Sequence, residues 1–384
     1  MDHLTGNGLI RVRRVVYWTK GQGRDERLER WLGILDSRVS VAVRELCCRV
    51  SVSGVSFTKG AENLERLAQM RITKDWVRII VDREGQRVER SRREGQVGPN
   101  WLAGDCRVSP EGPTRVMVGM DGVMVPQITE AEKRKRRENL RRKRAGRKRR
   151  PVGRRRGRPR RGADQPYKEF KIAAFYDQSR EHQYAFGTSG DCHRMGRLLR
   201  REAAKVKLDQ ADQPLSLSDG AEWIRRQLQI QLPMLLAMIL DFCHLAEHVA
   251  QASRSCFGEG TPVAEGWTHE RLNTVREKGP VPLLAQLEQT LAKVRAPAKR
   301  KALHDLQQYV VKRADMLDYP RFRQQGFDIG SGPTEAFCKT LTARLKGSGM
   351  RWDRPNAEAM MALAALEHSH LWKPYWHQQL TNAA

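Results

Sequence analysis

The stretch Arg115-Val-Met-Val-Gly-Met-Asp121-Gly-Val-Met-Val125 is a near-continuous apolar run broken by one carboxylate. Such a run reads as a buried strand. Aspartate is disfavoured within strands, so Asp121 asks for a chemical reason. Downstream, Lys171–Tyr176 and His182–Gly187 are strand-like runs separated by Asp177-Gln-Ser-Arg180, a hairpin pattern. Met195–Val206 has helical periodicity, and Pro214-Leu-Ser-Leu-Ser-Asp219-Gly220 reads as a short strand ending in an acid, with a helix from Ala221. Leu235–Leu240 is a fifth strand, and His244–Ser253 is helical.

Strand, strand, strand, helix, strand, helix, strand, helix is the order of an RNase H-like fold. The expected class is therefore α/β: a mixed five-stranded sheet flanked by helices. From Phe257 to about Pro320 the text changes to polar-faced helices, such as Leu283–Val294 and Lys299–Leu317, separated by Gly-Pro and Ala-Pro breaks. This reads as a helical insertion. The core resumes at Phe327-Asp-Ile-Gly-Ser-Gly-Pro333, whose proline starts a helix carrying Glu335, and closes with a helix over Asn356–Leu371. The expected divisions are an N-terminal DNA-binding region (1–110), a catalytic core (111–256) interrupted by a basic disordered segment (131–164), the insertion (257–325) and the rest of the core (326–384).

Near the start, Arg11–Trp18 is strand-like and Asp25–Leu35 reads as a short helix. Ala61–Ala68 is amphipathic, and Thr73 is a good N-cap for Lys74–Asp82. Two short helices so spaced fit a helix-turn-helix, or equally an ordinary helical hairpin.

The chain has 384 residues and a formal charge of +27, and its distribution matters more than its total. Lys133–Arg161 holds nineteen Lys/Arg against one acid, Glu138, so +18 sits in one segment. A polyanion rewards many cations at once through counterion release, and nucleic acid is the expected partner. A membrane surface fits less well, because only Leu140 and Val152 are sizeable apolar residues there. The longest apolar stretch, Leu232–Leu240, is too short for a bilayer, and Met1–Arg14 lacks the plan of a secretory signal. Seven cysteines without a CxxC pair point to reduced thiols in a cytoplasmic, nucleoid-associated protein.

Phosphodiester cleavage needs an activated oxygen nucleophile and charge stabilisation on the leaving oxygen, which two divalent ions supply. Magnesium or manganese takes hard oxygen ligands, so Asp121, Asp219 and Glu335 are a suitable set. Each has a plainer alternative: Asp219-Gly220 is also a turn that caps the next helix, and Glu335 also favours a helix dipole.

Val118-Gly-Met-Asp121-Gly-Val, Leu217-Ser-Asp219-Gly-Ala-Glu-Trp223, Gly330-Ser-Gly-Pro-Thr-Glu335-Ala-Phe337 and Arg344-Leu-Lys-Gly-Ser-Gly-Met-Arg-Trp352 together resemble DDE transposases of bacterial insertion sequences, of the ISKra type related to Mutator-like transposases. The resemblance covers about residues 110 to 384. It implies that Asp121, Asp219 and Glu335 are the catalytic, metal-binding triad and that the helical stretch is the insertion before the glutamate. The partner it implies is double-stranded DNA, element terminal repeats and target, and a homodimer or higher oligomer on that DNA is expected. The cysteine-rich N-terminal zinc element of similar proteins is not found here.

Asp241-Phe-Cys-His244 resembles a signature after the fifth strand of Mutator-like and hAT-like transposases, which implies that His244 orients a phosphate or water near the acids. Zinc on Cys243, His244 and His248 and buried structural histidines are the alternatives. Arg154-Arg-Arg-Gly-Arg158-Pro-Arg-Arg161 resembles an AT-hook, in which Arg156, Arg158 and Arg160 enter an A·T-rich minor groove; a phosphate-binding loop without sequence preference is the alternative. Lys339, Arg344, Lys346 and Arg351 follow Glu335 and are expected on phosphates. Trp352 and Trp267 are read as base-stacking residues, core packing being favoured for Trp267. The rival functions are a metal-dependent nuclease on the same fold and a non-catalytic nucleic-acid-binding protein.

Overall fold

In the computed structural model, which describes residues 2–11, 18–20, 23–24, 39–145, 167–347 and 349–381, the run around Asp121 forms strand β1 (Arg115–Pro126). With β2 (Tyr167–Tyr176), β3 (Gln183–Thr188), β4 (Gln213–Ser218) and β5 (Ala237–Leu240) it builds a mixed sheet in the order β3-β2-β1-β4-β5. β2 is antiparallel to both β1 and β3, whereas β4 and β5 run parallel to β1. β1 is central, and Val116, Val118 and Met120 are wholly buried.

Before the sheet come α1 (Val41–Val52), α2 (Phe57–Ala68) and α3 (Lys74–Arg93), capped by Ser40, Ser56 and Thr73, whose hydroxyls accept from backbone N–H groups. The Thr73 cap is where the sequence puts it. α3, however, is 20 residues long and buries Val77, Ile80, Val81, Gly85 and Val88. A Cβ on Gly85 would lie 2.3 Å from the Ala359 carbonyl oxygen, so α3 lies in close backbone contact with the helix Arg354–His368. α2 and α3 form the consecutive helix pair that both readings expect, and one face of the second helix belongs to the core. The strand-like and helical readings at Arg11–Trp18 and Asp25–Leu35 fall mostly outside the described residues.

The segment expected to be disordered opens instead as α4 (Glu130–Arg144). Thr129 accepts from the Glu132 N–H at 3.1 Å, acids occupy the first turn, and Glu, Lys and Arg are good helix formers. Residues 146–166 lie outside those described.

α5 (Cys192–Lys205) joins β3 to β4, α6 (Glu222–Gln231) joins β4 to β5, and α7 (Phe242–Phe257) follows β5. The insertion is α8 (Pro262–Lys278), α9 (Pro280–Lys293), α10 (Pro297–Val311) and the short α11 (Tyr319–Gln324). The Gly279-Pro280 and Ala296-Pro297 breaks start α9 and α10, because proline suits the first helical position. α12 (Gly332–Ala343) carries Glu335, and α13 (Arg354–His368) and α14 (Trp372–Thr381) close the chain. One buried apolar cluster runs from α1 through the sheet and insertion to α14, so the N-terminal helices share a core with the sheet. Among the described residues, no helix is long and apolar enough to cross a membrane.

Candidate active site

Met120 of β1 pairs with Ser218 of β4 in parallel register. The next residues along the two strands are Asp121 and Asp219, so the register alone sets these acids side by side. Asp121 is half-buried, and its Oδ1 accepts from the Gly122 N–H at 2.5 Å. Asp219 is half-buried too, and its Oδ1 accepts from the Ala221 N–H at 2.8 Å, so it does serve as the turn residue before α6. Gly220 takes φ +69°, a conformation natural to glycine.

Glu335 comes from α12, which packs against β1 and β2. Gly119 makes that approach possible: a Cβ there would meet Thr334 Oγ1 at 2.0 Å. Tyr176 and Thr334 share a hydroxyl contact at 3.4 Å on the same face. One turn after Glu335, the Cys338 thiol hydrogen-bonds Asp121. Glu335 is exposed in the first turn.

Asp121 feels the charge of the other two acids. Burial pushes the Asp121 carboxyl above the usual carboxylate range, with Asp219 and Glu335 adding to the rise and the Gly122 N–H and Cys338 thiol opposing it. Their oxygens do not all close to within 4.8 Å; among the described residues only Cys106, Asp177 and His182 do so. The donors are nevertheless all carboxylates from three separate elements, a set that fits magnesium or manganese and would not select a soft metal.

Asp241 is a different kind of acid. It is buried, its Oδ1 accepts from the Cys243 and Ser331 N–H groups at 3.1 and 3.2 Å, and its Oδ2 accepts from Ser331 Oγ at 2.8 Å. It caps α7 and ties that helix to the loop entering α12, so it positions Glu335 from behind. A strand-Asp-helix pattern is the sequence signal for such a cap.

His244, half-buried on α7, stands 5.1 Å from the His248 ring and 6.4 Å from the Tyr309 ring. His248 stacks on Tyr309 at 3.9 Å, and burial with the neighbouring His244 and Arg313 holds its pKa down. Tyr309 donates to the Asp219 carbonyl at 3.4 Å, while Arg313 donates to the Gly220 carbonyl at 2.9 Å and lies over the Tyr309 ring at 4.0 Å. The insertion thus grips the backbone of the second acid. Nothing in the sequence marks Tyr309 or Arg313, which lie far along the chain from Asp219. The Cys243–His244–His248 zinc grouping is not assembled among the described residues.

Lys339 and Lys346 are exposed, and Arg351, also exposed, pairs with Glu132 at 2.5 Å. Arg344 departs from expectation. It is 6% exposed, donates to the Ser51 carbonyl at 3.2 Å, and lies 5.0 and 5.3 Å from the Phe57 and Trp352 rings. It is a strut between α1, α2 and the loop after α12, not a free phosphate contact. Trp352 is buried in the same stack, 6.1 Å from Phe57, so it packs in the core, as does Trp267. A cavity of about 500 Å³ opens over this stack, edged by Lys74, Arg78, Lys133 and Arg351. Arg156, Arg158 and Arg160 lie outside the described residues.

Comparison with protein-family models finds no match to this chain, and comparison with curated proteins finds none either.

Proposed function

We propose that this chain is a DNA transposase of the DDE type on an RNase H-like core, cleaving at element ends and joining the freed 3′-OH to target DNA. The observation that carries the reading is the register: Met120 pairs with Ser218, so Asp121 and Asp219 follow side by side on adjacent parallel strands, with Glu335 on the helix that packs against β1 and β2. The sheet order β3-β2-β1-β4-β5, with β2 alone antiparallel, supports the RNase H-like assignment. The resemblance of the three acid-bearing strings to ISKra-type transposases supports the substrate.

Asp121, Asp219 and Glu335 would hold Mg²⁺ or Mn²⁺, which when bound lowers the pKa of an attacking water or 3′-OH and offsets charge on the leaving oxygen. The protein's own part is to keep three like charges from strands and a helix in one place. Gly119 and Asp241 set the height and tilt of α12, and Tyr309 and Arg313 hold the turn that bears Asp219. The cations of Lys133–Arg161 would bind phosphates along the duplex and supply most of the affinity. A homodimer or higher oligomer in a prokaryotic cytoplasm, associated with the nucleoid, completes the reading.

Asp121→Asn, Asp219→Asn and Glu335→Gln are each expected to abolish cleavage and joining of terminal-repeat DNA with Mg²⁺ or Mn²⁺, while DNA binding persists. Each keeps size but removes the charge that holds a hard cation. Glu222→Gln, at the start of α6, should retain activity. A Glu335→Gln protein that cuts and joins at the wild-type rate would sink the triad. Cleavage without any joined product would favour a nuclease, and binding without either a non-catalytic protein.

A further inference from the structure

Toward the start of β1, away from the acids, the structure gathers a second set of metal-ligating side chains. The Cys106 sulfur, a carboxylate oxygen of Asp177 and a ring nitrogen of His182 all lie within 4.8 Å of one another. They come from two separate segments. Cys106 follows a single 3-10 turn, Ala103–Asp105, and its carbonyl accepts from the Arg115 N–H at 2.8 Å, which ties it to the first residue of β1. Asp177 and His182 face each other across the β2–β3 turn, joined by the Asp177 N–H donating to the His182 carbonyl at 3.1 Å. We propose that Cys106, Asp177 and His182 form a structural zinc site that pins the segment before β1 to the β2–β3 turn.

The plainest competing account makes Asp177 the hydrogen-bond hub of its turn. Asp177 accepts from Ser179 Oγ at 2.8 Å and from the His182 N–H at 3.3 Å, and contacts His182 Nδ1 at 2.8 Å. That account explains the aspartate and the histidine. It leaves the Cys106 sulfur out, whose one hydrogen-bond contact among the described residues is a long one to the Leu102 carbonyl at 3.8 Å. A buried carboxylate beside a buried thiol is costly for the thiolate.

A divalent cation inverts that balance, because the thiolate and the carboxylate then both face positive charge. Zinc is the ion whose chemistry matches one sulfur, one nitrogen and one oxygen donor, whereas magnesium does not take thiolate. Cys106 and Asp177 are 1% and 5% exposed, while the His182 side chain keeps 28% exposure, which leaves a side for a water as the fourth ligand. Trp101 covers the histidine, its ring 5.7 Å away and its Nε1 donating to the Gln183 carbonyl at 3.4 Å. Binding is written as Zn²⁺ plus the Cys106 thiol giving the zinc thiolate and one proton released to solvent. Asp177 binds as carboxylate and His182 through a neutral ring nitrogen, its proton on the other nitrogen.

The site is independent of the transposase reading, and its test needs no activity. The chain carrying Asp121→Asn and Asp219→Asn, which removes two of the carboxylates proposed to hold a divalent cation, would be freed of metal and titrated with Zn²⁺ and with Co²⁺. One equivalent of zinc, about one proton released per zinc, and a thiolate-to-cobalt charge-transfer absorption are expected. Cys106→Ser should lose that absorption and weaken zinc binding at least about tenfold, and His182→Asn should weaken it similarly. Should Cys106→Ser fail to fold, loss of the thiolate-to-cobalt charge-transfer absorption in a folded His182→Asn protein serves in its place. No stoichiometric zinc binding, or a cobalt absorption that survives Cys106→Ser in a folded protein, would overturn the proposal.

Discussion

Gly119 is where one hydrogen atom decides the position of a helix. It lies in the middle of β1, two residues before Asp121, and an added Cβ would sit 2.0 Å from Thr334 Oγ1 and 3.0 Å from Thr334 Cβ and Cγ2. Thr334 is buried next to Glu335, so it has no free space to enter. Gly119→Ala must therefore lift the start of α12, at an overpacking cost of about 1–3 kcal/mol. The expected result is a protein that folds with a lowered denaturant midpoint and loses most strand cleavage, because Glu335 moves off the two strand acids. Full activity in that variant would mean that α12 adapts freely and that Glu335 needs no fixed height. At this scale the sequence distinguishes residues poorly. Asp121 stands out because a carboxylate inside an apolar strand is costly to desolvate unless a partner or a cation offsets the burial. Arg344 misleads, because a basic residue after the helix that bears Glu335 reads as a phosphate ligand until Phe57 and Trp352, distant in sequence or folded back, are seen to enclose it.

α3 shows how much of an element depends on what covers it. Asp82 lies on its buried face; burial pushes its carboxyl up to about 6, against the ion pair with Arg78 at 3.3 Å and with Asp353 adding to the rise. The folded state then holds the Asp82 proton more tightly than the unfolded chain, whose aspartate titrates near 3.9. This group favours folding only at low pH; its contribution declines as pH rises from about 4 and reaches its least favourable level above about 6. Asp82→Asn is expected to raise the melting temperature at pH 8, with the gain shrinking as pH falls from 6 to 4 when both proteins are melted across that range. A lower melting temperature at pH 8 would mean that the Arg78 pair outweighs burial. The helix itself was legible in part: the Thr73 cap and the first apolar turn are local signals, whereas the extension to Arg93 follows from packing on α13, which no local pattern displays. The five strands and the insertion helices α9 and α10 were legible for the same reason. α1 and α8 were not, since their buried faces include Arg44 and Arg271 and acquire meaning only against partners.

At the scale of the whole molecule, the basic segment lies in the chain between two strands that pair with each other. Val125 pairs with Lys168 and Pro126 with Tyr167, so β1 and β2 already meet at the point where the segment leaves and returns. α4 projects from that point, with Arg134, Lys135, Arg137, Arg141 and Arg142 exposed, and Lys133 holds its base through Glu130 at 2.7 Å. Removing Arg134–Arg161 deletes eighteen Lys/Arg and one Glu without cutting a strand of the sheet. Shortening a loop changes its closure entropy only by about 0.6 kcal/mol per halving of length, so the melting temperature should stay near that of the full chain. DNA affinity should not. Each phosphate that a cation neutralises contributes about 0.9 to the slope of log affinity against log salt, so a segment on the backbone must flatten that slope when it is lost. Binding measured on A·T-rich and G·C-rich duplexes across a salt series separates the two readings of the Gly157-Arg158-Pro159 core. Insertion into the minor groove makes the loss larger on A·T-rich DNA, and it should be reproduced in part by Arg158→Ala alone. Equal losses on both duplexes leave a phosphate-binding loop without sequence preference. A slope unchanged by the deletion would instead move the DNA-binding surface to the exposed cations of α3 and the residues following Glu335.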